Sequence, residues 1–173
     1  MPYGAHGTTI TRTQTLADYV ARGPKYPLGH EVVLPADSTG TRTDMGEQVW
    51  VYVYNDEAAT PFAQGHVIAR DSATAEYHGV LALGGGVCAT GQVIGVAQHA
   101  IPFGGAGFIL KRGVGEVMAG AAGITQDNAI IPSAAAEVGR AVNAVAVTNF
   151  SIGFSTETVG GAALATCYIN CPG

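Results

Sequence analysis

The stretch EQVWVYVYND, Glu47 to Asp56, decides how the rest of the chain reads. Val49, Val51 and Val53 alternate with Trp50, Tyr52 and Tyr54, and all six of these residues favour strands. Successive side chains of a strand point to opposite faces, so one face carries three valines and the other three aromatics. Neither face suits water. One fits a core, and the other fits an interface or a covering arm.

The same character recurs on both sides of this strand. From Glu31 onward, short apolar runs bounded by Gly, Pro, Asn and Asp recur at intervals of roughly ten residues, the signature of an all-β sandwich or barrel. HVIAR (66–70), YHGVLAL (77–83), QVIGVAQ (92–98), GFILKR (107–112) and a run from Glu116 read as strands. So do NAVAV (143–147), SIGFSTE (151–157) and ALATCYIN (163–170), which makes about nine or ten in all. FILKR reads as bracketed by turns at Gly104–Gly105 and at Gly113–Gly115. Between Gly120 and Gly139 the Ala-rich sequence is interrupted by Pro132 and reads as loop, with at most one helical turn near Ala134 to Val138.

Residues 1–30 differ. This stretch is polar, carries Pro and Gly near its end, and has one helical spacing, Leu16, Tyr19 and Val20 behind a Thr15 cap. The expected architecture is an all-β fold, a compact β-barrel or β-sandwich of β-tulip or jelly-roll type. It comprises an extended N-terminal arm over residues 1–30 with at most one short helix and a single β domain over residues 31–173.

Composition narrows the function. Of 173 residues only 12% are charged and 47% are hydrophobic, too little charge to solvate a large free surface, so part of the surface is expected to meet a partner. Twenty-five glycines without a three-residue period belong to turns. Two lysines and six scattered arginines against a net charge of -5 give no basic stripe, so no direct contact with nucleic acid is expected. No apolar run approaches ~20 residues, so no membrane span is expected. MPYGAHGTTITRTQT has neither the basic start nor the apolar core of a secretory signal, and folding in a reducing cytoplasm is expected. Three cysteines, Cys88, Cys167 and Cys171, cannot all pair within the chain and read as buried thiols. In one extended strand Cys167 and Cys171 would stand ~13 Å apart, beyond bridging distance.

No catalytic, cofactor-binding or metal-ligating residue is assigned from the sequence motifs. GAGFILKRGVGEVMAGAAGI (105–124) is glycine-rich, but no Lys followed by Ser or Thr occurs, and Arg112 stands after Lys111. Gly84, Gly86 and Ala89 match the looser dinucleotide pattern without a following amphipathic helix. None of Ser38, Ser72, Ser133, Ser151 and Ser155 sits in a nucleophile elbow. Cys88 could act as a thiol nucleophile with His99 or His78, but a small buried residue is the plainer reading. His6, His30, His66, His78 and His99 form no ligand-spaced pair, and His30–Glu31 is the single adjacent acid and imidazole. Asn55–Asp56–Glu57 has the chemistry of a turn. Lys111 and Arg112 point in opposite directions, leaving one to reach solvent or an acidic patch on a partner.

Three segments of the C-terminal half then read as one phrase: GQVIGVAQHAIPFGGAGFILKRGVGEVMAG (91–120), ITQDNAIIPS (124–133) and SIGFSTETVGGAALATCYIN (151–170). The phrase resembles the decoration, or cement, proteins of tailed-bacteriophage heads. Its matching steps are Gly95 to Ala97, Phe103 to Gly107, Gly113 to Val117, Gln126 to Ser133 and Ile152 to Ile169. The resemblance covers Gln92 to Asn170, under half the chain, and leaves residues 1–90 outside it. It implies a compact β module on the outer surface of an icosahedral virion, assembled in the host cytoplasm. There it would stabilise contacts between major capsid protein subunits and associate with itself as a dimer or trimer, with no enzymatic activity and no cofactor. The alternatives are another virion component, such as a tail or fibre protein or the shell protein itself, and a small enzyme on a β-scaffold.

Overall fold

A computed structural model describes residues 15–35, 46–72, 75–83, 92–133, 137–144 and 151–171. One short helix, α1 (Leu16–Arg22), precedes ten strands among these residues. The strands are β1 (Glu31–Leu34), β2 (Gln48–Asn55), β3 (Val67–Ser72), β4 (Ala75–Leu81), β5 (Val93–Val96) and β6 (Ala106–Met118). They continue as β7 (Ala129–Pro132), β8 (Ala141–Asn143), β9 (Gly153–Ser155) and β10 (Leu164–Asn170). The all-β expectation holds, and α1 starts behind Thr15 as the spacing indicates.

Strand pairing closes two rings that share β6. In the first ring β2 pairs with β4, β4 with β3, β3 with β5, β5 with β6, and β6 returns to β2. Val51 and Val53 of β2 meet Ile68, Ile94 and Ile109 from three other strands, together with Phe62 and Ile101, in a buried cluster. Tyr77 and Leu81 of β4 pack against it, so all five strands feed this interior. Five strands enclose little room, and a small barrel must fill its interior with side chains of matched size. Gly95 meets that limit: a Cβ there would lie 2.8 Å from the Leu110 carbonyl oxygen and 2.9 Å from the Ile109 side chain.

The aromatic face of β2 is covered by the chain itself. Tyr52 is 1% exposed, and its ring lies 5.0 Å from Phe108 and 5.3 Å from Tyr26. The backbone of the preceding segment is stitched down, Gly29 N–H donating to the Tyr52 carbonyl at 2.8 Å and Tyr52 N–H to the His30 carbonyl at 2.9 Å. β1 continues the cover by pairing antiparallel with β2 from Glu31↔Val51 to Leu34↔Gln48. Burying each large side chain in this cluster contributes about 1.5–3 kcal/mol. Of the two roles open to the aromatic face, cover by the chain's own residues 26–34 is the one realised.

The second ring uses the far half of β6. β10 pairs with β6 from Leu164↔Met118 to Asn170↔Arg112, then β9, β7 and β8 follow in order. A parallel bridge between Ala119 and Ala141 joins β8 back to the end of β6. Inside lie Val117, Ile130, Ile152, Ala165, Cys167 and Ile169, continuous with the cluster under Tyr52 and Phe108.

Two expectations are corrected here. Gly113–Gly115 is not a turn: β6 runs unbroken for 13 residues, so GFILKR and the run from Glu116 are one strand. Gly113, at φ 120°, passes the strand from one ring to the other, and a Cβ there would lie 2.8 Å from the Glu47 carbonyl oxygen. The glycines bend the strand without reversing it. The second correction is β7, which occupies Ala129–Pro132 where loop was expected. Four residues are too few to show a period, and Pro132, a breaker inside a helix, is tolerated at a strand's end. NAVAV meets the structure at Asn143, the last residue of β8, while residues 145–147 lie outside the described residues.

Candidate interaction surface

Among the described residues, several side chains with chemical potential are engaged in structural contacts. His30 turns to the aromatic cluster, its ring stacked on Tyr26 at 5.6 Å, while Glu31 accepts from Lys111 Nζ at 2.8 Å. The adjacent acid and imidazole therefore do not meet. Arg112 Nη2 donates to Glu47 at 2.6 Å, so both members of the Lys111–Arg112 pair meet a carboxylate of this chain. His78 Nδ1 lies 3.1 Å from Asp56 at an exposed site against Tyr54. His66 accepts from Ala63 N–H at 3.1 Å, and burial, then Arg140, pulls its pKa below the ordinary value. Burial does the same to His99, whose Nε2 is enclosed without a hydrogen-bond partner.

The remaining candidates follow suit. Ser133 donates to Glu137 at 2.6 Å, and that bond, with one from Ala121 N–H, holds the Glu137 carboxyl below its ordinary pKa. Ser155 donates to the Glu157 carbonyl at 2.6 Å, and Ser151 donates to the Gly153 carbonyl. Asn55 caps the expected turn, receiving Glu57 N–H at 3.0 Å while its amide donates to the carbonyls of Thr60 and Ile101. Cys167 and Cys171 are buried free thiols, pushed up to about 11 and about 12 by burial. At those values neither is a thiolate near neutral pH. Among the described residues no three His, Cys, Asp or Glu side chains gather to hold a metal. No helix among them is long and apolar enough to cross a membrane. His6, Ser38, Gly84, Gly86, Cys88 and Ala89 lie outside the described residues, and so does any pairing of Cys88 with His78 or His99.

The outward face of the second ring is different. Register places Val114 of β6 opposite Tyr168 of β10, Tyr168 opposite Phe154 of β9, and Phe154 opposite Ala129 of β7. This row crosses four strands on the side away from the core. Phe154 is 46% and Tyr168 37% exposed, and their rings stack at 5.3 Å and 23°. Half-buried Ile131, Met118 and Leu164 extend the apolar surface. Between the Val114 and Met118 rows runs a polar pair, Glu116 opposite Thr166, with Glu116 receiving the Gln64 amide at 2.6 Å. Contiguous apolar surface on a folded chain marks sites of association.

Sequence reading found the strands of this surface but not the surface. The signal was present: Ala165, Cys167 and Ile169 face inward, so the alternate residue Tyr168 must face out. Phe154 stands between buried Gly153 and Ser155 in the same way.

No family model matches the chain, and no curated protein does. Among solved structures it is similar to the head fiber gp8.5 N base of bacteriophage phi29, with 13% identity and a TM-score of 0.45 over 69% of this chain and 93% of that one.

Proposed function

We propose that this protein is a structural component of a tailed-phage virion and acts there as a capsid decoration protein, bound to the outer surface of the head across joints between major capsid protein subunits. The observation that carries this reading is where the resembling segments fall. Gly95 to Ala97 ends β5, Phe103–Gly104 is a turn, Gly113 to Val117 lies within β6, and Gln126–Asp127 is a turn leading into β7. Ile152 to Ile169 spans β9, a turn at Gly161–Ala162, and β10. The order of strands and turns in the resemblance is thus the order in the fold. Low charge and an exposed aromatic row suit a surface shared with partners.

In this role the chain performs no reaction. It binds neither nucleic acid nor membrane, and it works by mass action: a ligand that binds only the assembled shell stabilises that state by an amount set by its affinity and free concentration. The arm, Pro2 to about His30, is the proposed contact with the shell or a neighbour, because a polar segment needs a partner surface to offset its entropy; residues 26–30 lie on this chain's own β2, so the part tested is residues 2–25. Particles lacking the protein should release their genome at a lower temperature than complete particles, measured by dye access to DNA during heating. Equal release temperatures would refute the stabilising role. A protein deleted for residues 2–25 should show reduced occupancy on particles, and unchanged occupancy would remove the arm from the contact.

A further inference from the structure

The outward face of the second ring has a built-in two-fold complementarity, from which we infer that it is covered by the same face of a second copy of this chain. Arg112, Val114 and Glu116 project from the outward side of β6, alternating with buried Gly113 and Gly115. Arg112 and Glu116 therefore stand at equal distances, ~7 Å, on either side of Val114. A two-fold axis lying along the Val114–Tyr168–Phe154 row reverses β6 in the facing copy. Arg112 of each copy then meets Glu116 of the other, so the contact carries opposite charges where an unreversed one would set like against like. Arg112 is half-exposed beside Glu47 and Glu116 accepts from a neutral amide, which leaves both groups able to take a further charged partner.

The area is of the right order. Phe154 at 46% and Tyr168 at 37% exposure offer roughly 90 and 75 Å², taking side-chain areas near ~200 Å². Half-buried Val114, Met118, Leu164 and Ile131 add on the order of 25 Å² each. The sum, roughly 250–300 Å², is over half of the ~450 Å² of apolar surface in one side of a standard interface. Phe154 and Tyr168 are then the buried aromatic anchors, with Arg112 and Glu116 as the charged rim.

Sedimentation of the purified protein, without shells, tests this independently of the decoration reading. Dimers, or assemblies of even copy number, are expected at concentrations up to ~100 µM. Phe154→Lys and Tyr168→Lys should each raise the dissociation constant at least ~10-fold, whereas Val33→Lys on the exposed edge strand β1 should not. Arg112→Glu and Glu116→Arg should each weaken association, and the double exchange should recover it. Near-unchanged circular dichroism and thermal midpoints would show that the exposed positions still fold. A monomer at every concentration, an odd assembly, or association indifferent to Phe154 and Tyr168 would overturn the pairing. So would a double exchange no better than the singles, or loss of particle binding with self-association intact, which would assign the face to the shell. Self-association of this kind alongside unchanged particle stability would leave the pairing standing and fail the decoration reading alone.

Discussion

The two rings are built from the same kind of strand and share one, yet they treat their outer faces differently. The first ring lays aromatic residues outward and then covers them with its own chain, so that Tyr52 and Trp50 are buried on what would be an open surface. The second lays Phe154 and Tyr168 outward and no described segment covers them. The first aromatic face therefore serves stability. The second is available for association.

Substitutions should separate the two faces most sharply. Tyr52→Ala removes a ring packed between Tyr26 and Phe108 and should cost about 3–5 kcal/mol in denaturant unfolding. Tyr168→Ala, with the same side-chain chemistry on the open face, should cost the isolated chain under about 1 kcal/mol. Similar losses at the two positions would erase the distinction between covered and open faces.

The joint between the rings should be next in size. Gly113→Ala puts a Cβ against the Glu47 carbonyl in a backbone conformation side chains rarely adopt, so a loss of about 1–3 kcal/mol is expected. A neutral substitution would mean that β6 is not held at its bend.

The smallest effect should come from pH. His66 and His99 have folded pKa values lowered below the ordinary 6.5, by burial first. The unfolded chain therefore binds more protons once the pH drops below ~6.5, and stability falls as the pH moves down through the folded values. The thermal midpoint should decline from pH 7 towards pH 5, and His99→Leu should flatten part of that decline, leaving the share due to His66. A decline of the same slope in the variant would show that His99 does not contribute.

How far the sequence reached follows from these same residues. Val49 to Tyr54 showed a strand with two apolar faces, because period-two alternation is local and survives any tertiary arrangement. Which cover the aromatic face receives was not legible: it depends on Tyr26 and Leu28 reaching across from a segment that reads as arm, a contact no periodicity encodes. The closed rings were hidden for a similar reason. Gly113 and Gly115 look like a turn in sequence, and only their pairing with Ile169 and Cys167 makes them a bend in a long strand. The open face lay within reach, since alternation fixes which side Tyr168 takes, but its meeting with Phe154 is set by the register of β9 on β10. Cys167 and Cys171 are buried free thiols as their type and odd number suggested, because free Cys packs as a small apolar residue, while Cys88 lies outside the described residues.

The most direct test of the proposed decoration role is a cryo-EM reconstruction of phage particles assembled in the presence of this protein. An outer layer of this fold above the shell is expected, seated across joints between capsid subunits, with the Val114–Tyr168–Phe154 row of each copy against that of its neighbour. Density confined to the tail or to projecting fibres, or forming the shell itself, would contradict it.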